Sequence, residues 1–149
     1  MTSAFDRQRF AAADVARLAT VTPLGDPHLV PVVFALDGNR VWMAVDAKPK
    51  STRALQRLAN LRQHPRVSLL VDHYEADWST LWWVRADGAA RVVEPDTDEE
   101  RQGIAHLVAK YPQYQVDPPG GPVVVVDLDT WRSWSAVPGQ TEGGGRRGV

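Results

Sequence analysis

The sequence predicts a mainly β protein, a six-stranded antiparallel barrel with helices on its rim, and three observations lead there. Six stretches carry the alternating or continuous apolar pattern of strands, most of them bounded by Gly, Pro, Asn or Asp turn signals. Helical periodicity is confined to two or three short segments. These do not alternate with the strands as βαβ units would, which excludes a doubly wound parallel sheet. At 149 residues without a cysteine, the chain must hold one core by packing alone, and a chain of this size can.

Taken in order, Ser3 is placed to cap a first helix through Phe5, Phe10 and Ala13. Arg17 to Val21 reads as a strand and Thr22 to Asp26 as a turn. His28 to Leu36 reads as one strand. Pro31 inside it lacks an N–H, so the strand must lie at an edge there or break its ladder. Asp37-Gly38-Asn39 is a tight turn into a strand from Val41 to Val45, and the first three strands should form a meander. A helix from about Lys50 to Arg62 follows, with Leu55, Leu58 and Ala59 as its apolar stripe, stopping before His64-Pro65. Val67 to Val71 is the fourth strand, and Asp72 to Thr80 a polar, aromatic-rich loop. Leu81 to Val93 is a long strand in which Asp87-Gly88 marks a bulge rather than a hairpin, because the halves are short for a hairpin. Thr97 and Glu100 form a capping box before Ile104, Leu107, Val108 and Tyr111, and Pro112 ends that helix. Pro118 to Pro122 is a loop, and Val123 to Leu128 a fully apolar strand continuing toward Trp131 and Trp134. Residues 1–137 are thus expected to form one domain, and the Gly-rich, basic stretch 138–149 a flexible tail.

Composition narrows the chemistry. Without cysteine there is no thiol catalysis and no Cys-ligated metal, and His28, His64, His73 and His106 share no metal-ligand spacing. A net charge of −1 gives no global attraction to nucleic acid. The absence of a membrane-length apolar run and of a leader pattern leads to the expectation of a cytoplasmic protein. No Gly-x-Gly-x-x-Gly, Walker loop, Gly-x-Ser-x-Gly or His-Glu-x-x-His motif is present. Six tryptophans, five of them after residue 77, suit the covering of flat ligands or a partner subunit, and equally an ordinary core.

The charge pattern at residues 48–57 is unusual. Lys48, Lys50 and Arg53 crowd a helix N-terminus, where each cation is unfavourable by roughly 0.3–1 kcal/mol. Ser51 and Thr52 stand at the cap. Backbone N–H groups, hydroxyls and cations together suit an outside anion such as a phosphate. A solvated basic loop fits the same residues.

Three stretches together resemble one family. They are Ala-Arg-Leu-Ala-Thr-Val-Thr-Pro-Leu-Gly-Asp-Pro-His-Leu-Val-Pro-Val-Val-Phe at 16–34, Lys-Pro-Lys-Ser-Thr-Arg at 48–53 and His-Pro-Arg-Val-Ser-Leu-Leu-Val-Asp-His-Tyr at 64–74. They are similar to the pyridoxamine 5′-phosphate oxidase-like split β-barrel family of flavin and deazaflavin enzymes. Asp-Trp-Ser-Thr-Leu-Trp-Trp-Val-Arg at 77–85 and Trp-Arg-Ser-Trp-Ser at 131–135 resemble its actinobacterial branch that uses coenzyme F420, a deazaflavin.

The resemblance implies a six-stranded split β-barrel and a homodimer with a cofactor groove at each subunit interface. It implies hydride transfer between F420 and a planar conjugated small molecule, with FMN as the alternative cofactor and a cofactor carrier without turnover as the alternative function. Lys48, Lys50, Ser51 and Thr52 match the family's phosphate loop. Pro31, Val32 and Val33 match the strand beside the ring system, with Ala44 and Val45 on its neighbour. Trp131 and Trp134 match the C-terminal segment brought to the site. Arg53 and Arg57 share a helical face with Lys50 and would suit a longer anionic tail, although a solvated face is an equal reading for Arg57. Trp78, Trp82, Trp83, Arg85 and His73 are the expected substrate contacts, with one of Trp82 and Trp83 pointing into the core because they alternate along a strand. No catalytic side chain is expected, since the cofactor carries the chemistry. Members that oxidise pyridoxamine phosphate resemble one another in a C-terminal Arg-Leu-x-Pro-type segment. Here Trp134 is followed by Ser135, Ala136 and Val137, so the resemblance does not extend to vitamin B6 oxidation.

Overall fold

The computed structural model describes residues 3–45 and 52–136, and of residues 52–54 the backbone alone. Within these residues the chain runs α1 (Ala4–Ala12), β1 (Ala16–Val21), β2 (Pro27–Val32), β3 (Ala35–Asp37), β4 (Arg40–Ala44), α2 (Thr52–Gln63), β5 (Arg66–His73), β6 (Trp82–Val92), α3 (Asp98–Lys110), α4 (Pro112–Val116) and β7 (Val123–Ser135). A single 3-10 turn over Trp78–Thr80 precedes β6. The seven strands form one sheet in the order β2-β1-β5-β6-β7-β4-β3, every neighbouring pair antiparallel.

That order makes the sheet a split barrel. β2 and β3 are its two edges, yet only Val33 and Phe34 separate them in the chain. Two residues can bridge no more than about 11 Å between the strand ends, so the sheet must curl until its edges approach. The expected six strands become seven, because the run from His28 to Leu36 breaks in two. Pro31 sits on the edge strand β2, as its missing N–H requires. The break itself comes from α3. The Tyr111 hydroxyl accepts the Phe34 N–H at 2.9 Å and lies 2.8 Å from the Phe34 carbonyl, while Lys110 Nζ donates to that carbonyl at 2.9 Å. Side chains have taken the backbone groups that a continuous strand would have used. The expected meander is likewise corrected. β1–β2 and β3–β4 are two hairpins at opposite edges, each turning on a glycine with positive φ, Gly25 (91°) and Gly38 (58°).

Two cores result. Inside the barrel, Phe10 of α1 packs on Phe34 and Trp131, with ring centroids 5.0 and 5.2 Å apart. The inner positions of β6, Val84, Ala86 and Ala90, are buried with them. On the outer face of β4 and β7, α3 covers Trp42, Val123 and Val125 through Leu107 and Tyr111. Gly103 permits that contact, since a Cβ there would lie 2.5 Å from Trp42 Cε3. Ser3 caps α1 and Thr97 caps α3, each side chain accepting the N–H three residues on, at 3.1 and 3.2 Å. The α2 stripe is rotated from its expected position. Leu58 and Leu61 are buried, whereas Leu55 is 64% exposed and Ala59 is exposed. The displacement follows from Asn60, fully buried between them and donating to Thr20 Oγ1 at 3.2 Å.

β6 remains one strand, with a bulge and not a hairpin at Asp87-Gly88. Register passes from Asp87↔Thr130 to Gly88↔Leu128, so the extra residue is Asp129 on β7. Arg66 holds the Asp129 carboxylate through two guanidinium hydrogen bonds and draws its pKa down to about 2. Because the folded pKa lies below the unfolded one, any stability this pair contributes is present above the ordinary carboxylate pKa. It is lost as pH falls toward 2. Arg66→Ala should therefore return the Asp129 pKa to the ordinary carboxylate range, as read by NMR titration of its carboxyl carbon. An unchanged titration would mean that Arg66 does not hold it.

Candidate functional site

Six residues that are far apart in the chain line one groove of about 520 Å³: Pro31, Val32, Val33, Ala44, Val45 and Arg57. The split barrel explains their meeting. Pro31 to Val33 end the edge strand β2, Ala44 and Val45 end β4, and Arg57 is on the second turn of α2. The wall opposite is made by Tyr114 and Asp117, at and just after α4, and by Pro118, Pro119 and Gly120. Sequence reasoning missed these five. Pro118 to Pro122 was legible as a loop, but α4 beyond Pro112 was not expected, and no local pattern tied either to β2.

Arg57 is the unusual group of the groove. Its Nε is buried and has no hydrogen-bond partner among the described residues, and burial lowers the guanidinium's pKa from its ordinary value. A guanidinium removed from water without a counter-charge is costly unless something else completes it. Arg57 as a whole is half-buried. Thr52 opens α2 one turn before it, and Arg53 follows. Lys48, Lys50 and Ser51 lie outside the described residues.

The tryptophans stand elsewhere in the single chain. Trp131 is buried in the barrel core, against Phe10 and beneath the Arg7 guanidinium at 4.8 Å. Trp134 is directly opposite Trp83 across β6–β7. Trp83, Arg85 and Asp87 share the outer face of β6, where Arg85 Nε donates to Asp87 at 3.1 Å. Trp82 is the one of the pair that packs on the core. His73 stacks on it at 6.2 Å and the Arg9 guanidinium lies 4.7 Å from its ring. Trp78 is 71% exposed beside Asp77, whose pKa is lowered by hydrogen bonds from the Ser79 hydroxyl and N–H. Ala44 pairs with Val123 at the start of β7, whereas Trp134 is near its end, roughly 35 Å further along the strand. The groove and this aromatic end are thus separate features within one chain.

Among the described residues no group of His, Asp or Glu could hold a metal ion, and no helix is long and apolar enough to cross a membrane. Residues 4–135 match the family model described as pyridoxamine 5′-phosphate oxidase. The chain belongs to that family. Solved structures of pyridoxamine 5′-phosphate oxidase-like shape agree in fold. A conserved hypothetical protein of Mycobacterium tuberculosis superimposes with a TM-score of 0.72 at 25% identity, covering 97% of this chain and 93% of that one. A heme binding protein of Mycobacterium smegmatis gives 0.70 at 24% identity, covering 94% of this chain and 57% of that one. A FAD-binding protein of Mesorhizobium loti gives 0.65 at 20% identity, covering 87% and 91%. Among curated proteins, none matches the chain.

Proposed function

We propose that the groove between β2, β4 and α2 binds the phosphate-bearing deazaflavin coenzyme F420, and that a homodimer uses it to reduce a planar conjugated small molecule. The observation that carries this reading is the Nε of Arg57, buried with no partner among the described residues, in a groove that Pro31, Val32, Val33, Ala44 and Val45 also line. A bound phosphate or carboxylate would supply the missing acceptor. Lys48, Lys50, Ser51 and the α2 N-terminus with Thr52 and Arg53 would extend the same positive end. The strand ends offer a flat, apolar wall for the ring system.

When bound, the coenzyme would supply the hydride. What this chain contributes is placement: Arg57 and the basic loop bind and orient the anionic end, and the valines and prolines exclude water from the ring. The Trp134–Trp83 pair would bear on the second subunit, whereas Trp131 is held in the barrel core. Because Trp134 and the groove are at opposite ends of β7, Trp134 could border a groove only across a two-fold interface. Trp78, Trp82, Trp83, Arg85 and His73 would approach from the same end.

FMN is the second reading, supported by the FAD-binding relative of the same fold. Heme, the ligand of another relative, is the third reading; none of the four histidines lines the groove, so an axial ligand from this chain's groove would be Tyr114. Spectroscopic titration with F420, FMN and heme separates the three, and tight FMN binding without F420 affinity would end the first. Reduced F420 should then be consumed with at least one of a panel of quinones, tetrapyrroles and nitro compounds. A carrier would consume it with none. Lys50→Ala is expected to weaken cofactor binding at least tenfold, through loss of a charge-assisted contact of roughly 1.5–3 kcal/mol. An unchanged dissociation constant would remove Lys50 from the site.

A further inference from the structure

A second cavity, of about 540 Å³, adjoins the groove and shares Val33 and Tyr114 with it as a common wall. It is closed by the end of α3 and the start of α4, with Lys110, Tyr111 and Pro112 on its sides and Val15 at its rim. Its apolar surface combines Val15, Val33 and Pro112 with Tyr111 and Tyr114, whose rings meet edge to face with centroids 5.8 Å apart. The volume suits a small organic molecule.

Lys110 gives the cavity its chemistry. Nζ donates to the carbonyls of Ala13 at 2.7 Å and Phe34 at 2.9 Å and lies 3.9 Å from the centre of the Phe34 ring. Those carbonyls engage two of the three hydrogens of an ammonium, the Phe34 ring lies over its charge, and among the described residues no third acceptor is hydrogen-bonded to it. The charged groups facing it are few. Asp14 is exposed at the cavity's edge, where solvent screens it, and the phenols of Tyr111 and Tyr114 complete the titratable set. Burial lowers the Lys110 pKa to about 8, with Asp14 opposing the shift, so near neutrality the amine is charged but incompletely solvated.

We propose that this second cavity holds a planar aromatic acid, its ring against Val33, Pro112 and Tyr114 and its carboxylate on the Lys110 ammonium. Its place beside the groove makes it the substrate's pocket. That assignment to the substrate rests on the groove's being the cofactor site, but the binding itself does not.

The probe is 2-naphthoate, titrated by calorimetry into the full chain without cofactor, against the uncharged 2-naphthamide. 2-Naphthoate should bind at least tenfold more tightly than the amide at pH 7. Its affinity should fall as pH rises through about 8, where Lys110 loses its proton. Lys110→Met should abolish the preference for the acid. Because Lys110 also ties α3 to the backbone of Ala13 and Phe34, that variant can lose stability. Val15→Trp, at the rim and 38% exposed, tests the same cavity by blocking it, and should weaken 2-naphthoate at least tenfold with an unchanged melting temperature. Equal affinity for acid and amide, or undiminished binding by Val15→Trp, would overturn the proposal. Cofactor titration of the unsubstituted chain separates the two readings. 2-Naphthoate binding without any cofactor binding would leave the cavity standing and remove the groove's assignment.

Discussion

Replacing Arg57 by Met should weaken cofactor binding at least tenfold while leaving the unliganded protein as stable as before, or more so. The two effects have opposite signs for one reason. Without a ligand, Arg57 Nε is buried with no acceptor among the described residues, and burial lowers the guanidinium's pKa. The folded state therefore carries an uncompensated desolvation cost, which an apolar side chain of similar length does not incur. In the bound state the anion would pair with that group, and a hydrogen bond to a charged partner contributes roughly 1.5–3 kcal/mol. Thermal unfolding and spectroscopic titration of the same preparations check both halves. A lower melting temperature with an unchanged dissociation constant would make Arg57 a structural residue and remove it from the site.

Gly88→Ala should destabilise the barrel by about 3 kcal/mol, read by chemical denaturation. A Cβ at Gly88 would lie 2.2 Å from the Asp127 carbonyl oxygen and within 2.9 Å of Leu128 Cα. Those atoms are backbone of the paired strand β7, which no side-chain rotation can move. Relief would require opening the β6–β7 ladder at its bulge, between Asp87↔Thr130 and Gly88↔Leu128. That ladder joins the longest strands and carries Val84, Ala86 and Ala90 into the core. Retention of full stability would mean that the strands separate there at little cost.

The bulge shows how far local pattern reaches. Asp87-Gly88 in a long apolar strand was enough to expect an irregularity and to prefer it to a hairpin. That the additional residue is Asp129 on the partner strand depends on register, which no local signal contains. The α2 helix shows the converse. Its extent was legible, but Leu55 and Ala59 were placed inward because periodicity cannot foresee that buried Asn60 takes a core-facing position through its hydrogen bond to Thr20.

By itself the sequence determined the class of the fold, an edge or a break at Pro31, and the helix caps and turns, while the family likeness rests on several whole stretches in order. The class, caps and turns follow from periodicity, missing donors and residue chemistry, all of which act over a few positions. The tertiary structure alone decided that the run from His28 to Leu36 divides at Phe34, that its halves are the opposite edges of the sheet, and that Arg57 Nε is buried with no partner among the described residues. It also set Tyr114, Asp117 and Pro118–Gly120 against β2 and opened the cavity at Lys110. Strand order and burial arise from pairings between residues distant in the chain, whose free energy exists only once the sheet has closed on itself.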